Sequence, residues 1–191
     1  TLNELIDTFS IDGISKSPAT FDYDKLEWFN AEYIRKMSDE DFIVHAKPYF
    51  EELQDIGPES YPLMIEMLKP RITKFGQIPE KLSYVNDLPD YDPELFDHKK
   101  SKSSAESAKT VLDHSVPILQ NLSQWTAEAI LTALTDLAEG LDVKKSAVMW
   151  PVRIAVTGMP VTPGGAVEAL LLLGRDRSLY RITKSLQRLN S

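Results

Sequence analysis

Apolar side chains recur every three or four positions over much of the chain, which is the spacing of one face of an α-helix. The two stripes in the first half are Leu26, Phe29, Tyr33 and Met37, then Phe42, Ala46, Tyr49, Phe50 and Leu53. Asp22 or Asp24 could cap the first helix, and Ser38 is placed to cap the second. Pro48 lies inside the second stripe, so a kink or a new helix start is expected there.

The second half of the chain continues this pattern. Its stripes are Val111, Leu112, Ser115, Ile118, Leu119 and Leu122, then Ile130, Leu131, Leu134, Leu137 and Leu141. Thr126 should cap the helix that carries the latter stripe, and residues 144–156 form a further candidate. The turn at residues 162–165 leads into a predicted helix ending at Gly174, and Ser178 is expected to cap the last helix. No segment alternates convincingly between apolar and polar residues, so we predict an all-α fold of roughly eight to ten helices.

The composition is that of a chain able to bury a core. Its 191 residues are 42% hydrophobic and 9% aromatic, which argues against wholesale disorder. Cysteine is absent, which excludes disulfides, thiolate metal sites and a cysteine nucleophile. No apolar run approaches the length of about 18 residues that spans a bilayer, so no membrane association is expected. The chain begins at Thr1 without a leader sequence, and we interpret it as a fragment of a longer protein.

The charge is distributed unevenly. The net charge is −8, but residues 144–191 hold 8 Lys and Arg against 2 Asp and Glu. A basic segment of this kind is either a solvated helix face or a surface for an anionic partner. The residues alone leave both explanations open.

The residues predict no catalytic or metal site. The three histidines, His45, His98 and His114, are not at metal-ligand spacing. The acidic stretch at residues 86–93 lacks the glycine and the closing glutamate of a calcium loop, and phosphate-binding glycine motifs are absent. We interpret residues 86–93 as a loop, and the serine-rich residues 98–107 as a boundary between two helical halves.

Several segments resemble one family closely. They are Ile14-Ser15-Lys16-Ser17-Pro18-Ala19-Thr20-Phe21-Asp22, Lys25-Leu26-Glu27-Trp28-Phe29-Asn30, Tyr33-Ile34, Lys69-Pro70-Arg71, the run from Pro151 to Gly158, Leu172-Leu173-Gly174, and Arg181-Ile182. In this order they are similar to the C-terminal part of bacterial glutamyl-tRNA synthetases. The resemblance implies an α-helical cage of two packed subdomains that binds the tRNA anticodon. It divides the chain into the end of a stem-contact fold (residues 1–30), a first subdomain (31–92) and a second subdomain (93–191).

The resemblance also implies a function. The whole protein would be a cytoplasmic, monomeric glutamate–tRNA ligase whose catalytic domain, with its ATP and magnesium, lies outside this sequence. The fragment itself would hold no cofactor and would be inactive alone. Its partner would be the anticodon loop and stem of glutamate tRNA.

Five residues match tRNA contacts of the family. Arg71 matches the residue that recognises the third anticodon base, and Arg153 matches a second anticodon contact. Thr162 and Pro163 match a turn that lies against the bases, and Trp28 matches the inner corner of the stem. Without the resemblance, both arginines would be interpreted as surface residues and Trp28 as a core aromatic.

Two alternatives remain open at this point. The chain could be the related cage of a class I lysyl-tRNA synthetase, although the Ser-Pro-Ala-x-Phe-Asp block favours glutamate. It could also be a helical protein-interaction scaffold without an RNA role, in which case the basic segment would bind an acidic protein.

Overall fold

A computed structural model describes residues 2–14 and 20–190. These residues form ten α-helices and no strand, which confirms the all-α prediction. The helices are α1 (Leu2–Thr8), α2 (Tyr23–Lys36), α3 (Asp39–Phe50), α4 (Tyr61–Leu68), α5 (Ile78–Lys81), α6 (Ser83–Asn86), α7 (Ala105–Gln120), α8 (Ala127–Gly140), α9 (Lys145–Thr157) and α10 (Ala166–Leu189). Short 3₁₀ turns lie at Ile11–Gly13, Pro58–Ser60, Phe75–Gln77, Pro93–Phe96 and Lys99–Ser101. The motif residues 15–19 lie outside the described residues.

Capping side chains start the helices where the sequence indicated. Asp22 Oδ1 accepts a hydrogen bond from the Lys25 amide at 3.0 Å, and Ser38 Oγ accepts one from Asp41 at 3.0 Å. Thr126 Oγ1 does the same at the start of α8. Each cap pairs an amide that has no partner within its helix.

One expected helix start is wrong and another is only partly tested. Ser178 is not a cap: α10 is interrupted only at Gly174 (φ 73°, ψ 170°), so Ser178 lies inside the resumed helix. Its buried hydroxyl donates to the carbonyl of Leu170 at 3.3 Å. Helix α3 runs through Pro48 and ends two residues later, so no second helix starts at this proline, and the alternative of a kink stays a prediction.

The core joins the two halves of the chain. Helices α7, α8, α9 and α10 pack against one another, while α3 packs on α4 and α5, and α6 meets α9. The buried apolar side chains form one continuous cluster across residues 34–182. The subdomain boundaries at 30/31 and 92/93 stay predictions.

The first two helices carry an outward apolar face. None of the described residues of α1 is buried, and on α2 only Ala31 and Ile34 are. The stripe that predicted α2 is therefore helical but largely exposed; Tyr33, for example, is 69% exposed.

Candidate functional site

Arg71 lies just beyond the end of α4. Its amide donates to the Leu68 carbonyl at 2.8 Å, and its Nη1 donates to the Met67 carbonyl at 2.9 Å. The side chain is exposed. One nitrogen of the guanidinium therefore fixes its direction, while the Nε and Nη2 edge keeps its donors for another partner.

Met67 also meets the turn at residues 162–165. A Cβ added at Gly164 would lie 2.8 Å from Met67 Sδ and 2.7 Å from Glu168 Cβ, which is closer than side-chain atoms approach. Only glycine allows the turn to come so near to α4. The structure thus brings both Arg71 and the Thr162-Pro163 turn against one buried residue, Met67.

Within this turn, the two predicted contact residues differ in exposure. Thr162 is half-buried, and its Oγ1 donates to the Gly164 carbonyl at 2.5 Å. Pro163 is buried. The threonine hydroxyl and the proline ring therefore shape the turn, which leads directly into α10.

Arg153 joins α9 to the same loop. Its Nη2 donates to the Pro160 carbonyl at 2.8 Å, and its guanidinium carbon lies 4.6 Å from the centre of the Trp150 ring. Burial lowers the pKa of this guanidinium below its ordinary value. Its Nε is buried with no hydrogen-bond partner among the described residues, so a donor remains unused at this position.

The loop between α9 and α10 rests on the segment around α6. Gly158 ends α9 with φ 63°, and a Cβ there would lie 2.8 Å from both Pro89 Cγ and Tyr91 Cδ1. Arg181, buried on α10, donates from Nη1 to the carbonyls of Tyr84 at 2.6 Å and Val156 at 2.8 Å. These contacts fix the point at which the loop leaves α9.

Arg181 is a charged side chain that is buried without a carboxylate partner in its hydrogen bonds. It is 5% exposed, and its hydrogen-bond acceptors are main-chain carbonyls. Burial, with a smaller effect from Arg177, lowers its pKa to about 10. The resemblance marked this residue as part of a motif, but nothing in the sequence indicated its partners.

Trp28 is on α2 and its ring faces outward from the described fold. It is 56% exposed on α2 and packs edge-to-face on Phe29 with ring centres 5.1 Å apart, so the core-aromatic interpretation is wrong. Helix α2 is nevertheless tied to the segment after Arg71, because the Asn30 side chain donates to the Thr73 carbonyl and Glu27 pairs with Lys74 at 3.5 Å.

All five arginines of the basic segment form contacts inside the fold. They bind main-chain carbonyls or nearby carboxylates: Arg153, Arg175, Arg177, Arg181 and Arg188. Much of the positive charge of residues 144–191 therefore stabilises the fold. The lysines of this segment, Lys144, Lys145 and Lys184, are exposed.

Nothing in the described part of the chain is arranged for a metal or for crossing a membrane. Over residues 2–14 and 20–190 there is no group of three or more His, Asp or Glu side chains placed to hold a metal ion. Within the same residues, no helix has the length and apolar character needed to span a bilayer.

Comparison with known proteins assigns the chain to a family. The family described as "Anticodon binding domain" matches residues 24–186. A glutamate–tRNA ligase of Clostridium novyi is 39% identical over 192 residues, covering 99% of this chain and 39% of that protein. A glutamate–tRNA ligase of Clostridium kluyveri is 39% identical over 188 residues, covering 98% of this chain and 38% of that protein. The chain thus spans about two fifths of the length of these relatives.

Among solved structures, a glutamate tRNA ligase from Elizabethkingia meningosepticum, crystallised with its amino acid, has a TM-score of 0.83 at 24% identity. The match covers 99% of this chain and 37% of that one. A glutamate–tRNA synthetase from Elizabethkingia anophelis gives 0.78 at 24% identity, covering 98% of this chain and 36% of that one. At this identity the likeness establishes the shared fold.

Proposed function

The chain belongs to the family of anticodon-binding domains, and we propose from this that it is the anticodon-binding region of a glutamate–tRNA ligase. The observation that carries the proposal is the meeting of two sequence-distant elements at Met67. The carbonyl of Met67 holds Arg71, and its sulfur limits the approach of the turn that contains Thr162 and Pro163.

Arg71 is suited to recognise a cytosine. Its Nη1 is bonded to Met67, which leaves Nε and Nη2 as two parallel donors on one edge. Cytosine offers two acceptors, its carbonyl oxygen and its ring nitrogen, so the pair would be bidentate. Glutamate and glutamine anticodons differ at the third base, cytosine against guanine. Guanine presents donors where cytosine presents acceptors, so Arg71 would favour glutamate tRNA.

Arg153 and the turn would hold the neighbouring part of the anticodon loop. The guanidinium lies over the Trp150 ring and donates to the Pro160 carbonyl through Nη2 only, so its other terminal nitrogen is available to a base. Unstacked loop bases are recognised by such donors and by stacking. Trp28, on the exposed face of α2, would contact the inner corner of the tRNA on the stem side.

Catalysis belongs, on this proposal, to the part of the protein outside this chain. We therefore assign no chemical step to this chain. The whole enzyme is proposed to act in the cytoplasm as a monomer on glutamate tRNA.

Binding to matched tRNAs tests the proposal. The chain is titrated with glutamate tRNA and with the same tRNA carrying guanine at the third anticodon position. One lost bidentate contact costs roughly 1–3 kcal/mol by analogy with DNA recognition, so the altered tRNA should bind about 10- to 100-fold more weakly. Equal affinity for both tRNAs would contradict anticodon recognition by this chain.

A further inference from the structure

Two lysine-containing segments from distant parts of the sequence come together at one small cavity. Ser101 and Ser146 both line a cavity of about 140 Å³, together with Trp150, Arg153 and Gly165. The first serine is flanked by Lys99, Lys100 and Lys102, and the second follows Lys144 and Lys145. We call these five side chains the lysine patch.

The turn that carries the first three lysines is firmly built. The His98 ring stacks on Trp150 with centres 3.7 Å apart and planes 6° from parallel. His98 Nδ1 lies 2.8 Å from Ser101 Oγ, and the His98 amide donates to the Ser103 carbonyl at 2.9 Å. Lys102 takes the left-handed conformation, φ 55°, that closes this turn. The three lysines therefore belong to a fixed turn that packs on α9.

The charge of the patch is not cancelled inside the fold. All five lysines are exposed, and none forms an ion pair with another described residue. The acids adjacent in sequence are Asp97 and Asp142. Asp97 Oδ1 accepts from the Ala105 amide at 2.9 Å, so one of its oxygens is engaged with the start of α7. Five exposed lysines without an ion pair therefore lie on the two segments that line the cavity with Arg153.

We propose that the lysine patch binds the phosphates of the strand that carries the anticodon, next to the bases held by Arg153 and the 162–165 turn. This inference rests on the proposed function and adds a phosphate-binding surface to it. Lysine is a compact, mobile point charge, suited to phosphate contacts that carry no sequence information. Of the arginines in the basic segment, Arg175, Arg177, Arg181 and Arg188 are occupied by carbonyls and carboxylates, so the five lysines of the patch supply the free positive charge beside Arg153.

The test is the salt dependence of tRNA binding by the chain. Each neutralised phosphate contributes about 0.7–0.9 to the slope of log affinity against log salt. The triple change Lys99→Gln, Lys100→Gln and Lys102→Gln should make that slope shallower by roughly two to three. The loss should be equal for glutamate tRNA and for the tRNA with an altered third anticodon base, because phosphates are common to both. The double change Lys144→Gln and Lys145→Gln should act in the same direction.

A matched control changes three other exposed lysines, on α2, α3 and α10: Lys25, Lys47 and Lys184 to Gln. It alters the net charge equally, and its slope should stay near that of the unaltered chain. Equal slopes for the patch triple and the unaltered chain would overturn this inference, and so would equal losses in patch and control triples. If the unaltered chain does not discriminate between the two tRNAs while the patch triple still lowers the slope, the proposed anticodon recognition fails and the phosphate surface stands. Absence of any tRNA binding would overturn both.

Discussion

Arg181 and Val156 are joined by a hydrogen bond of 2.8 Å from the arginine Nη1 to the main-chain carbonyl. The bond ties the middle of α10 to the last turn of α9. Because the loop with Thr162 and Pro163 starts two residues after Val156, its position depends on a side chain that lies outside it.

Replacement of Arg181 should therefore destabilise the fold. In Arg181→Met, the carbonyls of Tyr84 and Val156 lose a charged donor in a buried setting. Such hydrogen bonds contribute about 1.5–3 kcal/mol each, so we expect the free energy of unfolding in urea to fall by about 3 kcal/mol or more. Arg188→Met is the control, because the pair with Asp90 lies at a highly exposed carboxylate and should cost less than about 1 kcal/mol. Equal losses in the two variants would contradict this role of Arg181.

Gly158 and Gly140 should respond to alanine in opposite directions. Gly158 has φ 63°, and a Cβ there meets Pro89 and Tyr91 at 2.8 Å. Left-handed backbone alone costs a residue with a Cβ about 1–2 kcal/mol, so Gly158→Ala should lower the free energy of unfolding by about 2 kcal/mol or more. Gly140 ends α8, and a Cβ there meets nothing within 4 Å. Gly140→Ala should raise the free energy of unfolding by about 0.4–1 kcal/mol, which thermal unfolding would show as a slightly higher melting temperature.

Tyr84 should make the fold less stable in alkaline solution. Burial, and secondarily Glu168, raise the pKa of its phenol well above the ordinary value of 10.0. The folded chain therefore keeps this proton where the unfolded chain loses it, so stability is retained below pH 10 and falls as the pH rises above it. The fall is at most about 1.4 kcal/mol per pH unit.

The Tyr84→Phe variant isolates this effect. The Tyr84 hydroxyl has no hydrogen-bond partner among the described residues, so its removal should leave stability at pH 7 unchanged or slightly raised. Urea unfolding at several pH values above 10 should show a shallower decline in the variant. A parallel decline in both proteins would contradict the raised pKa.

Arg71→Gln tests base recognition in the full-length enzyme that carries this region. Loss of the free Nε and Nη2 edge should reduce the preference for glutamate tRNA over glutamine tRNA by about 10- to 100-fold, with the fold intact. The measurement is the ratio of kcat/KM for the two tRNAs. Lys74→Gln removes a nearby exposed charge paired with Glu27 and should leave the ratio unchanged. If the ratio does not move in Arg71→Gln, Arg71 is a surface residue without a role in recognition.

Local signals predicted the helices because their causes are local. Asp22, Ser38 and Thr126 cap helices through bonds to amides three residues away, which any single sequence displays. The prediction that Ser178 caps a helix was wrong because the break lies earlier, at Gly174. The Ser178 hydroxyl instead donates to the Leu170 carbonyl on the other side of that break.

Contacts between distant residues could not be predicted. Periodicity does not show that Arg181 would reach Tyr84, 97 residues away, or that Gly164 would face Met67. The basic segment is a similar case, because a count of charges does not reveal that Arg177 and Arg188 are bound within the fold. The family resemblance supplied Arg71 and Arg153, but their relation to Met67 and Trp150 required the three-dimensional structure.

Met67 lies between two surface elements, Arg71 and the turn at Gly164, although it is not itself at the surface. It is 2% exposed, yet its main chain sets the direction of Arg71 and its sulfur sets the nearest approach of the turn at Gly164. This one buried residue therefore contacts both elements. We expect a substitution at position 67 to shift the turn relative to Arg71, and so to change which shape of RNA fits, without any change in a residue proposed to contact the RNA.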